Sequence, residues 1–244
     1  MQLRRAGDRP WIIGHRGAMG YCPENTLASF ERAAQLGADW VELDVHLSRD
    51  GALVVIHDET LDRTTNGSGP VRERTLSELQ RLDAGQGERI PTLEEVLAWA
   101  RRRRIGVDVE IKNAPVYYAG IEAAVVRAVE RCAMLEQVLV SSFDHRAVQR
   151  VGALEPRLAT GVLFAHRPVE LASVARPAGA DVLLPRWPYV VAEDVRAAHA
   201  AGLSVGTWTT SDPAELRRLV EAGVDAIATN HPDVLRRLLD GELS

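Results

Sequence analysis

The chain has 244 residues, of which 46% are hydrophobic and 26% charged, and these proportions are typical of a globular protein and exclude a disordered one. Its formal net charge of −5 disfavours a general nucleic-acid or anionic-membrane binder, which is usually basic. No apolar run reaches the roughly 18 residues of a membrane span, no signal-like segment opens the chain, and Cys22 and Cys132 cannot form a disulfide framework, so we expect a cytoplasmic protein.

Short apolar segments alternate with helical patterns along nearly the whole chain, and no linker-like segment divides it. Strands are predicted at 11–15, 40–47, 53–57, 106–112, 138–143, 159–164, 181–185, 204–209 and 225–229. Helices are predicted, among others, at 23–36, 93–103, 116–132, 193–201, 213–222 and 232–239. This alternation predicts a parallel sheet with helices outside it, in a single domain that spans residues 1–244.

Nine strands are one more than an eight-stranded barrel holds. The segment that joins strands 40–47 and 53–57 is a tight turn, whereas a parallel crossover needs about a dozen residues. These two strands should therefore form an antiparallel hairpin. The eight parallel strands that remain predict a closed (β/α)8 TIM barrel, which we favour over an open sheet.

Two of the predicted strands alternate between apolar and charged residues. The charged or polar positions are Glu42, Asp44 and His46 in one strand and Asp108, Glu110 and Lys112 in the other. An apolar face suits contact with outer helices, and charges near the carboxyl ends of strands suit the barrel mouth, where this fold places its chemistry. An exposed edge strand would also alternate, but it would not explain two such strands.

The acidic residues of these strands indicate a metal site. Glu42 and Asp44 are two residues apart, so their carboxylates share one face at about 7 Å along the strand. Glu110 can supply a third carboxylate. Three carboxylates favour a hard divalent cation, Mg²⁺ or Ca²⁺, whereas zinc would require more His or Cys ligands. The alternative is a solvated edge strand whose acids pair with arginines.

The hairpin also directs a histidine toward these carboxylates. If its turn is centred between Arg49 and Asp50, Glu42 lies opposite His57 and the two side chains share a face. Neighbouring carboxylates would then favour a protonated His57 that can donate a proton. A bulge would shift the register by one residue and turn His57 to the other face.

Further candidates stand at the ends of the first and a late strand. His15 has the same phase as Ile13 and therefore points into the mouth, although a strand-end histidine is often only a hydrogen-bonded polar residue. Arg16 can bind a phosphate through two hydrogen bonds. Trp208 follows small inward residues, which suits either a flat apolar wall for a ligand or core packing.

Lys112 is the only lysine among 29 basic residues. A compact ammonium on a flexible stem acts differently from a guanidinium fork, so Lys112 is a candidate functional residue, with chance as the alternative. In contrast, the segment Pro23-Glu24-Asn25-Thr26 has ordinary helix-start residues. We interpret it as a structural element that holds the loop after the first strand.

Together these residues resemble the glycerophosphodiester phosphodiesterase family, in particular its small bacterial cytoplasmic members. The matching motifs are His15-Arg16-Gly17, Pro23-Glu24-Asn25-Thr26, Glu42-Leu43-Asp44, His57-Asp58, the run 61–67, Ile90-Pro91-Thr92-Leu93, Glu110-Ile111-Lys112, Ser141-Ser142-Phe143, Trp208-Thr209 and the run 229–233. Each motif is short, but their order and spacing from residue 15 to 233 make a chance match improbable.

The resemblance implies a (β/α)8 barrel that uses Mg²⁺ or Ca²⁺ to hydrolyse glycerophosphodiesters to sn-glycerol 3-phosphate and an alcohol. It assigns the metal to Glu42, Asp44 and Glu110.

The resemblance likewise gives roles to the other candidates. His15 and His57 become the catalytic acid–base pair, with His15 as the base and His57 as the acid. Arg16 and Lys112 become phosphate contacts, which also accounts for the single lysine, and Trp208 lies at the substrate rim.

Two alternatives remain. A lysophospholipase D shares the core of histidines and carboxylates, although the lack of a signal and of disulfides counts against a secreted toxin-like relative. A non-catalytic binding barrel would normally have lost part of a set that is complete here. We expect a small-molecule glycerophosphodiester substrate, and neither a nucleic-acid partner nor a stable membrane anchor.

Overall fold

The structure is a computed structural model that describes residues 9–243. The first residues, for which the absence of a secretory signal is predicted, lie outside this range. The strands are β1 (Trp11–Gly14), β2 (Trp40–Leu47), β3 (Leu53–Val55), β4 (Gly106–Ile111), β5 (Val138–Ser142), β6 (Ala159–Phe164), β7 (Val182–Pro185), β8 (Ser204–Thr207) and β9 (Ala226–Thr229). The α-helices are α1 (Leu27–Gln35), α2 (Leu76–Leu79), α3 (Leu93–Arg103), α4 (Ile121–Arg131), α5 (His145–Leu154), α6 (Ala172–Ala175), α7 (Ala192–Ala200), α8 (Pro213–Ala222) and α9 (Pro232–Leu239).

The strands of residues 9–243 form one sheet that closes on itself. β1 pairs in parallel with β9 on one side and with β2 on the other, and β4 to β8 complete the ring between them. β3 pairs with β2 in the antiparallel direction and lies outside the ring. The predicted (β/α)8 TIM barrel with a hairpin after its second strand is therefore confirmed.

The predicted register of that hairpin is wrong by one residue. Val45 pairs with Val55, so the turn is centred on Asp50 and is one residue longer than predicted, with Gly51 in a left-handed conformation (φ 82°). Continued pairing would send His57 to the outer face. The ladder instead ends at Val55, and His57 leaves the strand.

Successive side chains of β2 and β4 point alternately to two apolar cores, one between the barrel and its helices and one inside the barrel. Val41, Leu43 and Val45 lie in the core between the barrel and its helices. Trp40 belongs to the smaller core inside the barrel, where it packs over Gly106. A Cβ on Gly106 would lie 2.2 Å from the Trp40 ring, so glycine is needed there.

Several elements are shorter than predicted. β1, β4 and β8 end before His15, Lys112 and Trp208, which consequently stand just beyond the carboxyl ends of their strands, on the loops of the barrel mouth. Helix α1 begins at Leu27, after its N-cap Thr26, so the segment 23–25 belongs to the loop and not to the helix. In residues 9–243, no helix is long and apolar enough to cross a membrane.

Candidate active site

Three carboxylates meet at the barrel mouth. β2 supplies Glu42 and Asp44, and β4 supplies Glu110, whose Cα pairs with that of Asp44 across the parallel ladder. One oxygen from each residue lies within 4.8 Å of the others. Glu42 and Asp44 are buried, and the Glu110 side chain is 12% exposed. Such a set of hard oxygen ligands can hold a metal ion.

The charge balance of this cluster favours a bound cation. Burial, and then repulsion from Asp44, raise the pKa of Glu42 well above its ordinary value and that of Glu110 to about 7. Burial would also raise the pKa of Asp44, but Lys112 and Arg16 lower it. Asp44 Oδ1 is buried and has no hydrogen-bond partner among the described residues. Because a buried carboxylate oxygen without a hydrogen bond is costly, the residues present fit a metal ion there.

Two basic side chains border the carboxylates. Lys112 Nζ lies 2.8 Å from Glu110 Oε1, 3.6 Å from Asp44 Oδ1 and 3.2 Å from His57 Nε2. The Arg16 guanidinium lies 3.3 Å from Asp44 Oδ2, and its backbone N–H donates to Glu42 Oε2. Arg16 takes a left-handed conformation (φ 49°), which is uncommon for a residue other than glycine and is found at functional sites.

The two histidines are held differently. His15 Nδ1 donates to Asn230 Oδ1 at 2.8 Å, which leaves Nε2 directed toward Glu42 at 3.9 Å. Burial, and then Arg16, lower the pKa of His15 to about 4, so its imidazole is neutral near pH 7. His57 Nδ1 donates to Asp58 Oδ1 at 2.6 Å. Both histidines line the same cavity.

His57 reaches this cavity without the predicted strand pairing. Beyond the end of β3, Ile56 N donates to the backbone oxygen of Asp44. The backbone oxygen of His57 accepts from Nε2 of the buried His46, whose Nδ1 accepts from the Tyr118 hydroxyl. The ring of His57 thus lies beside Lys112. It is held there by these contacts beyond β3 and not by the predicted pairing with Glu42.

The cavity has two unlike walls and about 550 Å³ of space, including the solvent at its mouth. The polar wall carries His15, Arg16, Glu42, His57, Asp108, Glu110 and Lys112. Apolar side chains form the other wall, and Trp208 and Phe143 contact each other edge to face at its rim, with ring centroids 5.4 Å apart. Trp208 therefore both lines the cavity and packs against the inner core.

Some residues of the site were not recognised in the sequence. Asn25 Nδ2 donates to Asp44 Oδ2 at 2.9 Å, and Glu24 accepts from Arg16 at 2.8 Å, so the segment interpreted as a helix start instead places two side chains in the site. Asn25 can do so because it takes a left-handed conformation (φ 59°). The segment 23–26 was among the motifs shared with the family, and this was the available signal. Neither hydrophobic periodicity nor helix-start residues reveal the left-handed backbone of Asn25.

Known proteins resemble the chain over nearly its full length. The sequence model of the Glycerophosphoryl diester phosphodiesterase family matches residues 15–234. A glycerophosphodiester phosphodiesterase of Caldanaerobacter subterraneus subsp. tengcongensis is 41% identical over 235 residues, which cover 93% of this chain and 97% of that protein.

Solved structures agree with this result. An Oleispira antarctica phosphodiesterase in complex with the product sn-glycerol-3-phosphate is 32% identical, with a TM-score of 0.85 over 95% of this chain and 97% of that one. A glycerophosphodiester phosphodiesterase of Agrobacterium tumefaciens is 33% identical, with a TM-score of 0.81 over 93% and 99%. The chain therefore belongs to the glycerophosphoryl diester phosphodiesterase family and is a phosphodiesterase, as its motifs predicted.

Proposed function

We propose that the chain hydrolyses glycerophosphodiesters to sn-glycerol 3-phosphate and an alcohol, with Mg²⁺ or Ca²⁺ as its cofactor. The observation that carries this proposal is one cavity lined by His15 and His57, by both basic residues and by acidic groups of the carboxylate cluster. The activities named for the relatives, and the product in the Oleispira antarctica complex, support the same reaction.

The metal would be held by Glu42, Asp44 and Glu110, the three clustered carboxylates. When bound, the ion supplies charge neutralisation of the diester and orientation of one phosphate oxygen. The choice of Mg²⁺ or Ca²⁺ follows from the all-carboxylate donor set, since both ions prefer oxygen ligands.

Arg16 and Lys112 bind the other phosphate oxygens and stabilise the charge that grows on them in the transition state. Their distances of 3.3 and 3.6 Å from Asp44 support this role, since both side chains border the carboxylates proposed to hold the metal. Lys112 is flexible enough to turn from Glu110 to a phosphate, whereas Arg16 is fixed by Glu24 and by its own backbone.

His15 is the proposed base. Its Nδ1 donates to Asn230, so Nε2 is free to take the proton of the attacking hydroxyl. His57 is the proposed acid that protonates the leaving alcohol, because the Asp58 carboxylate accepts from Nδ1 and orients the ring with Nε2 toward the cavity. The attacking hydroxyl is either water, which gives sn-glycerol 3-phosphate directly, or the glycerol hydroxyl beside the phosphate. In the second route the alcohol leaves as a cyclic phosphate forms, and water then opens that ring to give sn-glycerol 3-phosphate.

The reaction is tested by ³¹P NMR of glycerophosphocholine incubated with the purified chain in EDTA, Mg²⁺ or Ca²⁺. We expect glycerol 3-phosphate with a divalent ion and none in EDTA, and a cyclic phosphate signal would identify attack by the glycerol hydroxyl. Phosphocholine as the product would contradict the proposed bond cleavage.

A lysophospholipase D remains the second candidate, since the Phe143–Trp208 rim offers an apolar surface to a lipid. Lysophosphatidylcholine is therefore assayed in parallel. Lysophosphatidic acid formed in preference to glycerol 3-phosphate would favour this candidate. A folded, metal-binding protein that cleaves neither substrate would instead be a binding barrel.

The amide of Asn25 gives a separate prediction. Asn25→Gly removes the hydrogen bond to Asp44 but accepts the left-handed backbone, so it isolates the side chain from backbone strain. We expect the half-saturating metal concentration to rise by about tenfold or more, as is usual when a residue that orients a ligand is lost. A titration of activity with Mg²⁺ measures it, and an unchanged midpoint would contradict the role of Asn25.

A further inference from the structure

Arg63 lies outside the cavity, yet its guanidinium joins two loops of the site. It donates to both oxygens of Glu24 at 2.8 Å each, and to both oxygens of Asp58 at 2.7 and 3.0 Å. Glu24 belongs to the loop after β1, whereas Asp58 and Arg63 belong to the segment after β3. Among the described residues, the cavity lining does not include Arg63.

Each of these carboxylates also holds a residue to which the proposed function gives a direct role. Asp58 accepts from Nδ1 of His57 at 2.6 Å, and Glu24 accepts from Nη1 of Arg16 at 2.8 Å. A continuous series of charge-assisted hydrogen bonds thus connects the proposed acid to a phosphate contact through Arg63. Such bonds are about twice as strong as neutral ones and fix orientation when they are bidentate.

We infer that Arg63 is a positioning residue, which fixes the Asp58 carboxylate that orients His57 and, through Glu24, sets the place of that ring relative to Arg16. The inference rests on the proposed function. Without Arg63, Asp58 keeps its bond to His57 but loses its own anchor, and the loop after β1 loses its link to the segment after β3. Small misplacements of a proton donor reduce the rate strongly.

The geometry requires the guanidinium fork and not only a positive charge. Three nitrogens of Arg63 donate in one plane to two carboxylates, whereas a lysine ammonium is a single point that cannot hold both edges. Arginine is the usual basic residue of this chain, so its presence here carries no information by itself. The pattern of its hydrogen bonds is informative, and it predicts that Arg63→Lys retains more activity than Arg63→Gln but less than the wild type.

Arg150 offers a matched control. Its guanidinium also bridges two carboxylates, Glu122 and Asp144, and its side chain is 48% exposed compared with 47% for Arg63. Neither of its carboxylates contacts the two histidines or Arg16 in the bonds that the structure shows. Arg150→Gln therefore removes a similar surface bridge, and we expect it to leave His57 and Arg16 in place.

The test compares two esters of glycerol 3-phosphate, one with choline and one with p-nitrophenol, because p-nitrophenolate leaves without a proton. With the choline ester, we expect Arg63→Gln to lower kcat by about 10- to 100-fold, with a smaller change in KM and with Arg63→Lys in between. With the p-nitrophenyl ester, the loss should largely disappear, as it should for His57→Ala. Arg150→Gln should match the wild type on both esters.

Three results would overturn the role of Arg63. The first is an equal loss on both esters, which indicates general damage to the structure. The second is an Arg63→Gln variant no slower than Arg150→Gln. The third is a double variant with Asp58→Asn whose losses multiply, because residues that act through one another show non-additive effects.

A second measurement separates this inference from the proposed reaction. If the wild type cleaves neither ester, the proposed function fails, but the Nδ1–H proton of His57 can still be followed by NMR. We expect it to be protected from exchange in the wild type and in Arg150→Gln, and to exchange faster in Arg63→Gln. Equal exchange in all three proteins would overturn the positioning role.

Discussion

Replacing His15 by alanine is expected to lower kcat/KM for glycerophosphocholine by about 10²- to 10⁴-fold, the range that a positioned acid or base contributes. The physical reason is the free Nε2 of His15, which lies 3.9 Å from Glu42 while Nδ1 is engaged by Asn230. Among the described residues, the other histidine that lines the cavity is His57, which stands on the segment after β3. Release of glycerol 3-phosphate, measured by a coupled assay, gives the rate.

The control for this variant is His166→Ala. His166 is exposed and lies on the loop after β6, where its ring is tilted against that of Phe164. The cavity lining among residues 9–243 does not include it. We expect it to keep wild-type activity. A His15→Ala variant as active as His166→Ala would remove His15 from the proposed acid–base pair while leaving the family assignment intact.

Removal of the metal should have an effect of similar size. We expect chelation with EDTA to reduce the rate by about 10³-fold, which corresponds to several kcal/mol of transition-state stabilisation, and added Mg²⁺ or Ca²⁺ to restore it. Asp44→Asn should remain inactive even with the ion present, because Asp44 is 1% exposed, belongs to the carboxylate cluster and lies within 3.6 Å of both basic side chains.

A measurement without turnover checks the same prediction. At about 100 times its Kd, an ion that binds only the folded state stabilises it by about 2.7 kcal/mol, and the melting temperature should rise accordingly. Asp44→Asn should show little of this rise. A wild-type protein whose activity and melting temperature are both indifferent to EDTA would contradict a metal at this cluster.

The sequence alone was sufficient for the fold class and for part of the site. The period of two in β2 and β4 determines that Glu42 and Asp44, and likewise Asp108 and Glu110, share the inner face, because successive side chains of a strand point to opposite sides. The short turn before β3 could only join antiparallel strands. Both inferences depend only on residues that are close together in the chain, so the residue pattern contains the information they need.

Other features depended on contacts that a local pattern does not contain. The register between β2 and β4 places Asp44 beside Glu110, and the pairing of Val45 with Val55 sets the hairpin one residue away from its predicted register. The left-handed conformation of Asn25 turns its amide toward Asp44. Glycine and asparagine tolerate such backbone conformations, but the tertiary packing around them decides where they are adopted.

The bridge through Arg63 also depends on residues that are far apart in the sequence. Glu24 and Arg63 are 39 residues apart, and only closure of the barrel and folding of the segment after β3 bring their side chains together. The sequence determined which charged residues face the mouth, because strand alternation is a local property. The tertiary structure decided which of them contact each other, since pairing between distant charges depends on the path of every loop between them.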